Sequence, residues 1–158
     1  MTCLNAVRLF STTTLCMLIL AGCGNKDIED SEAASSAAEP NPLAEYVGDW
    51  MSEAYVGDAA EPANVALLKA TENPETWSMK LPQLDEPIGA NSVVVMGDTV
   101  VSTWGPFASG IREGLMAQEM TVFMKADGDR MSGRAKAVYS DGEIVNFRLE
   151  SERIKNQE

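Results

Sequence analysis

Turn-forming pairs cut the chain into short pieces from residue 43 onward: Gly57-Asp58, Asn73-Pro74, Gly97-Asp98, Asp127-Gly128 and Asp141-Gly142. Between them lie brief runs rich in Val, Thr, Met and aromatic residues. Short strands separated by regular turn signals indicate an all-β sandwich or barrel. Eight strands are expected, over 47–56, 64–71, 76–82, 91–96, 99–105, 117–126, 130–139 and 143–152. No longer period repeats, which argues against a solenoid. One domain over 43–158 is long enough to build a single core.

Alternation assigns the faces. Trp77, Met79 and Leu81 oppose Thr76, Ser78 and Lys80. Met131, Gly133, Ala135, Ala137 and Tyr139 oppose Arg130, Ser132, Arg134 and Lys136, and Val145, Phe147 and Leu149 oppose Asn146, Arg148 and Glu150. Each strand therefore has one wet side. A two-residue Asp141-Gly142 turn would set Ala135 against Arg148 and mix the faces. A three-residue loop over 140–142 sets Ala135 against Phe147 and Gly133 against Leu149, and burial selects that register. Gly142 suits the left-handed last position of such a loop. A two-residue Asp127-Gly128 turn sets Met124 opposite Met131. Segment 105–116 is broken by Pro106, Gly110 and Gly114. Met116, Met120 and Met124 recur at helical spacing, but Thr121, Val122 and Phe123 favour a strand.

Gly48-Asp49-Trp50 opens the first strand. A Gly-x-Trp there, followed by an eight-strand meander, resembles the lipocalin and calycin superfamily. The resemblance implies an eight-stranded antiparallel up-and-down barrel. In it Trp50 would plug the closed end and an Arg from the last strand would lie across it. Arg153 shares the parity of Val145, Phe147 and Leu149 and is the match, forming a cation–π pair with Trp50. The Thr-Asp-Tyr motif of true lipocalins is missing, and so is room for their C-terminal helix. The expectation is a small calycin-like barrel rather than a lipocalin proper.

An eight-stranded barrel is filled by its own side chains or holds one small ligand. The expected inner wall combines small residues (Ala66, Ala70, Gly133, Ala135, Ala137) with adaptable ones (Met79, Met120, Met124, Met131). One arrangement is an apolar pocket lined by Trp50, Trp77, Met79, Met124, Met131, Ala135, Ala137 and Phe147. The other is a narrow, filled barrel in which the alanines face Trp77 and Phe147.

The N-terminus carries an address. An apolar stretch from Leu9 to Leu20 follows Arg8, the one charged residue before Lys26. Ser11, Thr12, Thr13 and Thr14 interrupt it, and a membrane span needs about 20 mostly apolar residues, so a signal h-region fits better. Leu20-Ala21-Gly22-Cys23 closes it and resembles the lipobox of a bacterial lipoprotein. The resemblance implies cleavage of residues 1–22, acylation of Cys23 and, with Gly24 rather than Asp next, passage to the outer membrane facing the periplasm. The alternatives are an uncleaved anchor or a cut near Ala37. Residues 23–42 then form the lipidated cysteine and an acidic linker rich in Ser, Ala, Asp and Glu, closed by Pro40 and Pro42. A flexible coil of that length spans about 25 Å root-mean-square.

Composition narrows the chemistry. The three cysteines are Cys3, Cys16 and Cys23, and there is no histidine. Past a cut before Cys23 the chain has no free thiol and no imidazole, which removes most metal sites and nucleophile–base pairs. No cofactor or metal is expected, and an enzyme is disfavoured. The net charge is −12 overall and −13 past the cut, with 11 basic against 24 acidic residues. That disfavours nucleic acid and direct adsorption to anionic lipid. Asp127-Gly128-Asp129 reads as turn chemistry rather than a calcium loop. Glu72 and Glu75 read as solvated, and Ser109-Gly110 lacks the glycine of a nucleophile elbow. Arg130, Arg134, Lys136 and Arg148 form an outward basic strip, whereas residues 43–98 hold two basic residues against ten acids. The expected function is a lipid-anchored envelope binding module for a small apolar ligand or lipid. The alternative is a protein–protein module, such as a periplasmic inhibitor or an envelope-complex accessory subunit.

Overall fold

The computed structural model describes residues 40–155. Cys23, the apolar stretch and most of the 24–42 linker lie outside the described residues. Nine strands follow one another: β1 Gly48–Val56, β2 Asn64–Ala70, β3 Ser78–Lys80, β4 Ile88–Met96, β5 Thr99–Trp104, β6 Phe107–Ala108, β7 Met116–Asp127, β8 Arg130–Tyr139 and β9 Ile144–Arg153. Every pairing is antiparallel. β5 pairs with β7 and β9 pairs with β1, so eight strands close into a barrel. The ninth, β6, is a two-residue strand held on the start of β7 and is not among the expected eight. The architecture is consistent with a calycin-like barrel.

Local chemistry explains the registers. β8 and β9 take the three-residue-loop pairing, with Ala135 opposite Phe147 and Gly133 opposite Leu149. Gly142, at φ 85°, supplies the left-handed residue. The β7–β8 hairpin corrects the expected pairing. Met124 faces Gly133, and Ala126 faces Met131, because the loop is Gly128-Asp129. Primed hairpin turns need positive φ at their first central residue, which Gly128 takes at 61°. The β4–β5 loop Gly97-Asp98 repeats the device, with Gly97 at 63°. The difference from expectation is two residues, so each side chain keeps its face. Gly133 itself is required by close approach: a Cβ there would collide with the Phe123 carbonyl.

The third expected strand shortens, and the fourth begins three residues earlier, at Ile88. In place of 76–82, Pro74–Thr76 form a 3-10 turn, with the Asn73 side chain accepting from the Glu75 N–H at 3.0 Å, and the strand is only Ser78–Lys80. Trp77, Met79 and Leu81 are nonetheless all buried. The methionines of β7 lie on a strand. A spacing of four fits both a helix face and a strand face, which is why period alone left them ambiguous. A bulge between Ala117 and Glu119 then reverses the parity, exposing Met116 and burying Ala117.

The barrel has two unlike ends. At one end lie the short turn Ala44–Tyr46, loop 71–77, the two Gly-Asp hairpins and the end of β9. At the other lie loops 57–63, 81–87, 105–115 and 140–143. Both described chain ends leave from the first end. Asn41 Nδ2 donates to the Glu72 carbonyl at 3.2 Å, and Lys155 Nζ pairs with Asp129 at 2.9 Å.

Candidate functional site: a plugged barrel and its apolar interior

The first end is plugged by aromatic residues. Trp50 is fully buried, and its indole N–H donates to the Tyr46 carbonyl at 2.8 Å. Tyr46, also fully buried, donates from its hydroxyl to the Asp98 carbonyl at 3.1 Å. Burial is the main cause that raises the Tyr46 phenol above its usual pKa. β1 and β9 pair Trp50 with Arg153, and the guanidinium lies 4.0 Å from the ring centroid. Arg153 also donates to the carbonyls of Val47, Glu45 (3.1 Å) and Gly128 (3.3 Å), and its Nε lies 3.3 Å from Asp129. Lys155 first, and Arg153 with it, hold the Asp129 carboxyl below the usual range. Gly48 makes the approach possible: its φ is 144°, and a Cβ would stand 2.5 Å from Arg153 Nη1.

Above the plug the barrel encloses a cavity of about 100 Å³. Of the pocket residues expected from sequence, Trp77, Met79, Met124, Met131, Ala135, Ala137 and Phe147 line it. Ala66 and Met120 do so too. Trp50 is not among the lining residues: it belongs to the plug below, where Tyr46 and Arg153 cover it. Ala70 is buried in the core but is likewise outside the lining. The interior is therefore neither wholly filled nor wide. Trp104, Phe107 and Ile111 complete the apolar wall, and sequence alternation did not single them out. Trp104 ends a strand beside Gly105-Pro106, and Phe107 and Ile111 fall in the broken segment where no period can be read.

Polar side chains interrupt the wall, among them Asn64, Tyr139 and two serines. Ser102, 3% exposed, accepts the Trp104 indole N–H at 2.9 Å. Ser52 shares a 2.6 Å hydrogen bond with the buried Ser151. The cavity reaches the loop-bearing end, where Gln83, Ser109 and Gly110 border it. Gln83 Nε2 donates to the Ala108 carbonyl at 3.2 Å and straps this mouth. A Cβ on Gly110 would meet the Gln83 amide at 2.6 Å, so the glycine makes room for the strap.

The mouth is acidic. Its loops carry Asp58, Glu61, Asp85, Glu86, Glu113, Asp141 and Glu143. Arg112 pairs with Asp141 at 2.9 Å and Glu143 at 2.6 Å, and lies over the Tyr139 ring. The Glu143 backbone N–H, and then Arg112, hold the Asp141 carboxyl low. The other five acids form no ion pair among the described residues.

The outward basic strip is largely spent. Arg130 pairs with Glu152 at 3.0 Å and Arg148 with Glu150, while Arg134 stacks on Phe123 and Arg148 on Tyr55. Lys136 alone of the four has no such partner among the described residues. Among the described residues no group of three or more acidic, Cys or His side chains is placed to hold a metal ion, and no helix is long and apolar enough to cross a membrane. Comparison of the chain with protein-family models, with curated proteins and with solved structures finds no match, so the barrel and its interior are the ground for any functional reading.

Proposed function

We propose that the barrel is a binding module for a small apolar molecule or the end of one hydrocarbon chain, carried in the bacterial envelope on an acylated Cys23. The observation that carries the reading is the apolar cavity itself, which reaches the loop-bearing end while Trp50 and Arg153 seal the other. Natural cores are close-packed with few voids larger than a water molecule. An apolar space ringed by small and thioether side chains is a site that can take a guest, and methionine adapts to irregular guests. Its size limits the occupant. About 100 Å³ is well below the roughly 300 Å³ at which drug-sized pockets begin and somewhat below the roughly 150 Å³ of a cavity that takes benzene, so the guest is a small ring or a chain end. The role is binding rather than catalysis, because the lining offers hydroxyls and the amides of Asn64 and Gln83 but no general base.

A second reading, a protein–protein module, is supported by the outward pair Met51 and Leu67. They stand opposite each other across β1 and β2 and are about half exposed. Native mass spectrometry of the protein from its own host separates the two. A bound small apolar molecule, lost in Ala135→Leu, supports the ligand module. An empty barrel recovered with a stoichiometric protein partner overturns it.

A further inference from the structure

The cavity is apolar, but it is not featureless. Ser102 is 3% exposed, lies on the wall and accepts a hydrogen bond from Trp104. A serine hydroxyl has one hydrogen to give. Among the described residues Ser102 donates no hydrogen bond, although it is almost wholly buried. Leaving a buried donor unused is costly, and binding sites exploit this by rejecting guests that cannot satisfy it. The mouth adds a second selection. Its loops carry seven acids against only Arg112 and Lys80, and a rim of net negative charge disfavours anionic guests. A carboxylate or phosphate ester would pass that rim at a penalty and then meet a wall without a cation.

Resting on the proposed ligand-binding reading, we infer that the guest is an uncharged apolar molecule bearing one hydrogen-bond acceptor, a carbonyl or ether oxygen, seated on the Ser102 hydroxyl. Ser102 is the specificity-determining residue, and the thioethers of Met79, Met120 and Met124 shape the apolar remainder.

Three probes of six heavy atoms each test this on the full chain: cyclopentanone, methylenecyclopentane and butyrate. Trp77 and Trp104 line the cavity, so intrinsic fluorescence reports occupancy. Both neutral probes should bind and the carboxylate should not, at low salt. Infrared difference spectra should place the carbonyl stretch of bound cyclopentanone below its value in hydrocarbon solvent. Ser102→Ala should return it to that value and lower the ketone-to-alkene affinity ratio about three- to tenfold, the weight of one neutral hydrogen bond. The infrared readout in the unaltered chain stands even if Ser102→Ala, which also frees the Trp104 indole, fails to fold. If the alkene binds while the ketone stretch sits at its hydrocarbon value, the acceptor assignment falls and the apolar site survives. Tight binding of the carboxylate likewise overturns the assignment. If no probe binds, the ligand-binding reading falls with it.

Discussion

Arg153→Met tests whether the plug holds the barrel together. Methionine keeps the apolar stem and removes the guanidinium. Lost are the stack on Trp50 at 4.0 Å and donations to three carbonyls. A cation–π contact contributes about 0.5–1 kcal/mol when exposed and about 2 when desolvated. The Arg153 side chain is 25% exposed, which places the stack near 1 kcal/mol. Of the carbonyls, those of Glu45 and Gly128 lie in exposed settings and water can replace the donor. Only the part-buried Val47 bond counts fully, at about 1.5 kcal/mol for a charged donor. The ion pair with the exposed Asp129 adds little. The expected loss is about 2–3 kcal/mol, a fall in Tm on the order of 10 °C. Urea and thermal unfolding of Arg153→Met, Trp50→Leu and the double variant measure it. The two changes should couple by about 1 kcal/mol, since the side chains touch. Additivity within about 0.3 kcal/mol, or an Arg153→Met loss under about 0.5 kcal/mol, would refute the reasoning.

Further outcomes follow from the same geometry. Ala135→Leu adds three carbon atoms beside the cavity, so stability should change by less than about 1 kcal/mol while uptake of methylenecyclopentane, read by tryptophan fluorescence, falls. A loss of about 1–3 kcal/mol in chemical denaturation would mean the site is already packed. Gly133→Ala drives a methyl into the Phe123 carbonyl, and the rigid β7–β8 ladder should lose about 3 kcal/mol or more by urea titration. The carboxyls of Asp98, Asp129 and Asp141 are held low, chiefly by Lys125, by Lys155 and by the Glu143 N–H. Their folded-state pKa values lie below the unfolded ones, so their contribution is complete above about pH 5 and is lost progressively as pH falls through the unfolded and then the folded values. Thermal unfolding across the acid range should show that decline, and Lys125→Met should make it shallower. Cys23→Ser should release the protein from membranes or leave an unprocessed precursor; membrane fractionation at the mature size in that variant would remove the proposed anchor.

What the chain made legible depended on how local the cause was. Alternation on β8 and β9 gave the faces and the 140–142 loop, because burial penalises a one-residue slip on every side chain at once. The β7–β8 hairpin was off by two residues because such a shift keeps each face, so burial cannot distinguish the two pairings. Only the demand for positive φ at Gly128 does. β6, Phe107 and Ile111 were missed where Pro106 and Gly110 erase any period. For Trp50, parity fits wall and plug equally, since it says which way a residue points and not how high in the barrel it sits. Ser102 gave no sequence signal at all: a lone serine in a Val-Thr run becomes notable only when Trp104 is found to occupy its acceptor side.

Both described ends of the chain leave beside the plug, where Asn41 reaches Glu72 and Lys155 reaches Asp129. A short Gly-rich segment could therefore join them, and the barrel could be reopened elsewhere without cutting a ladder hydrogen bond. Exposed loop tips are where such permutations succeed. Loop 57–63, which connects β1 to β2 at the mouth, is the natural place for new ends. A permuted chain would carry its termini at the opposite pole, so any fused reporter would stand next to the entrance. The same circle of eight strands could then serve as a reporter scaffold whose signal source sits within a few residues of whatever enters.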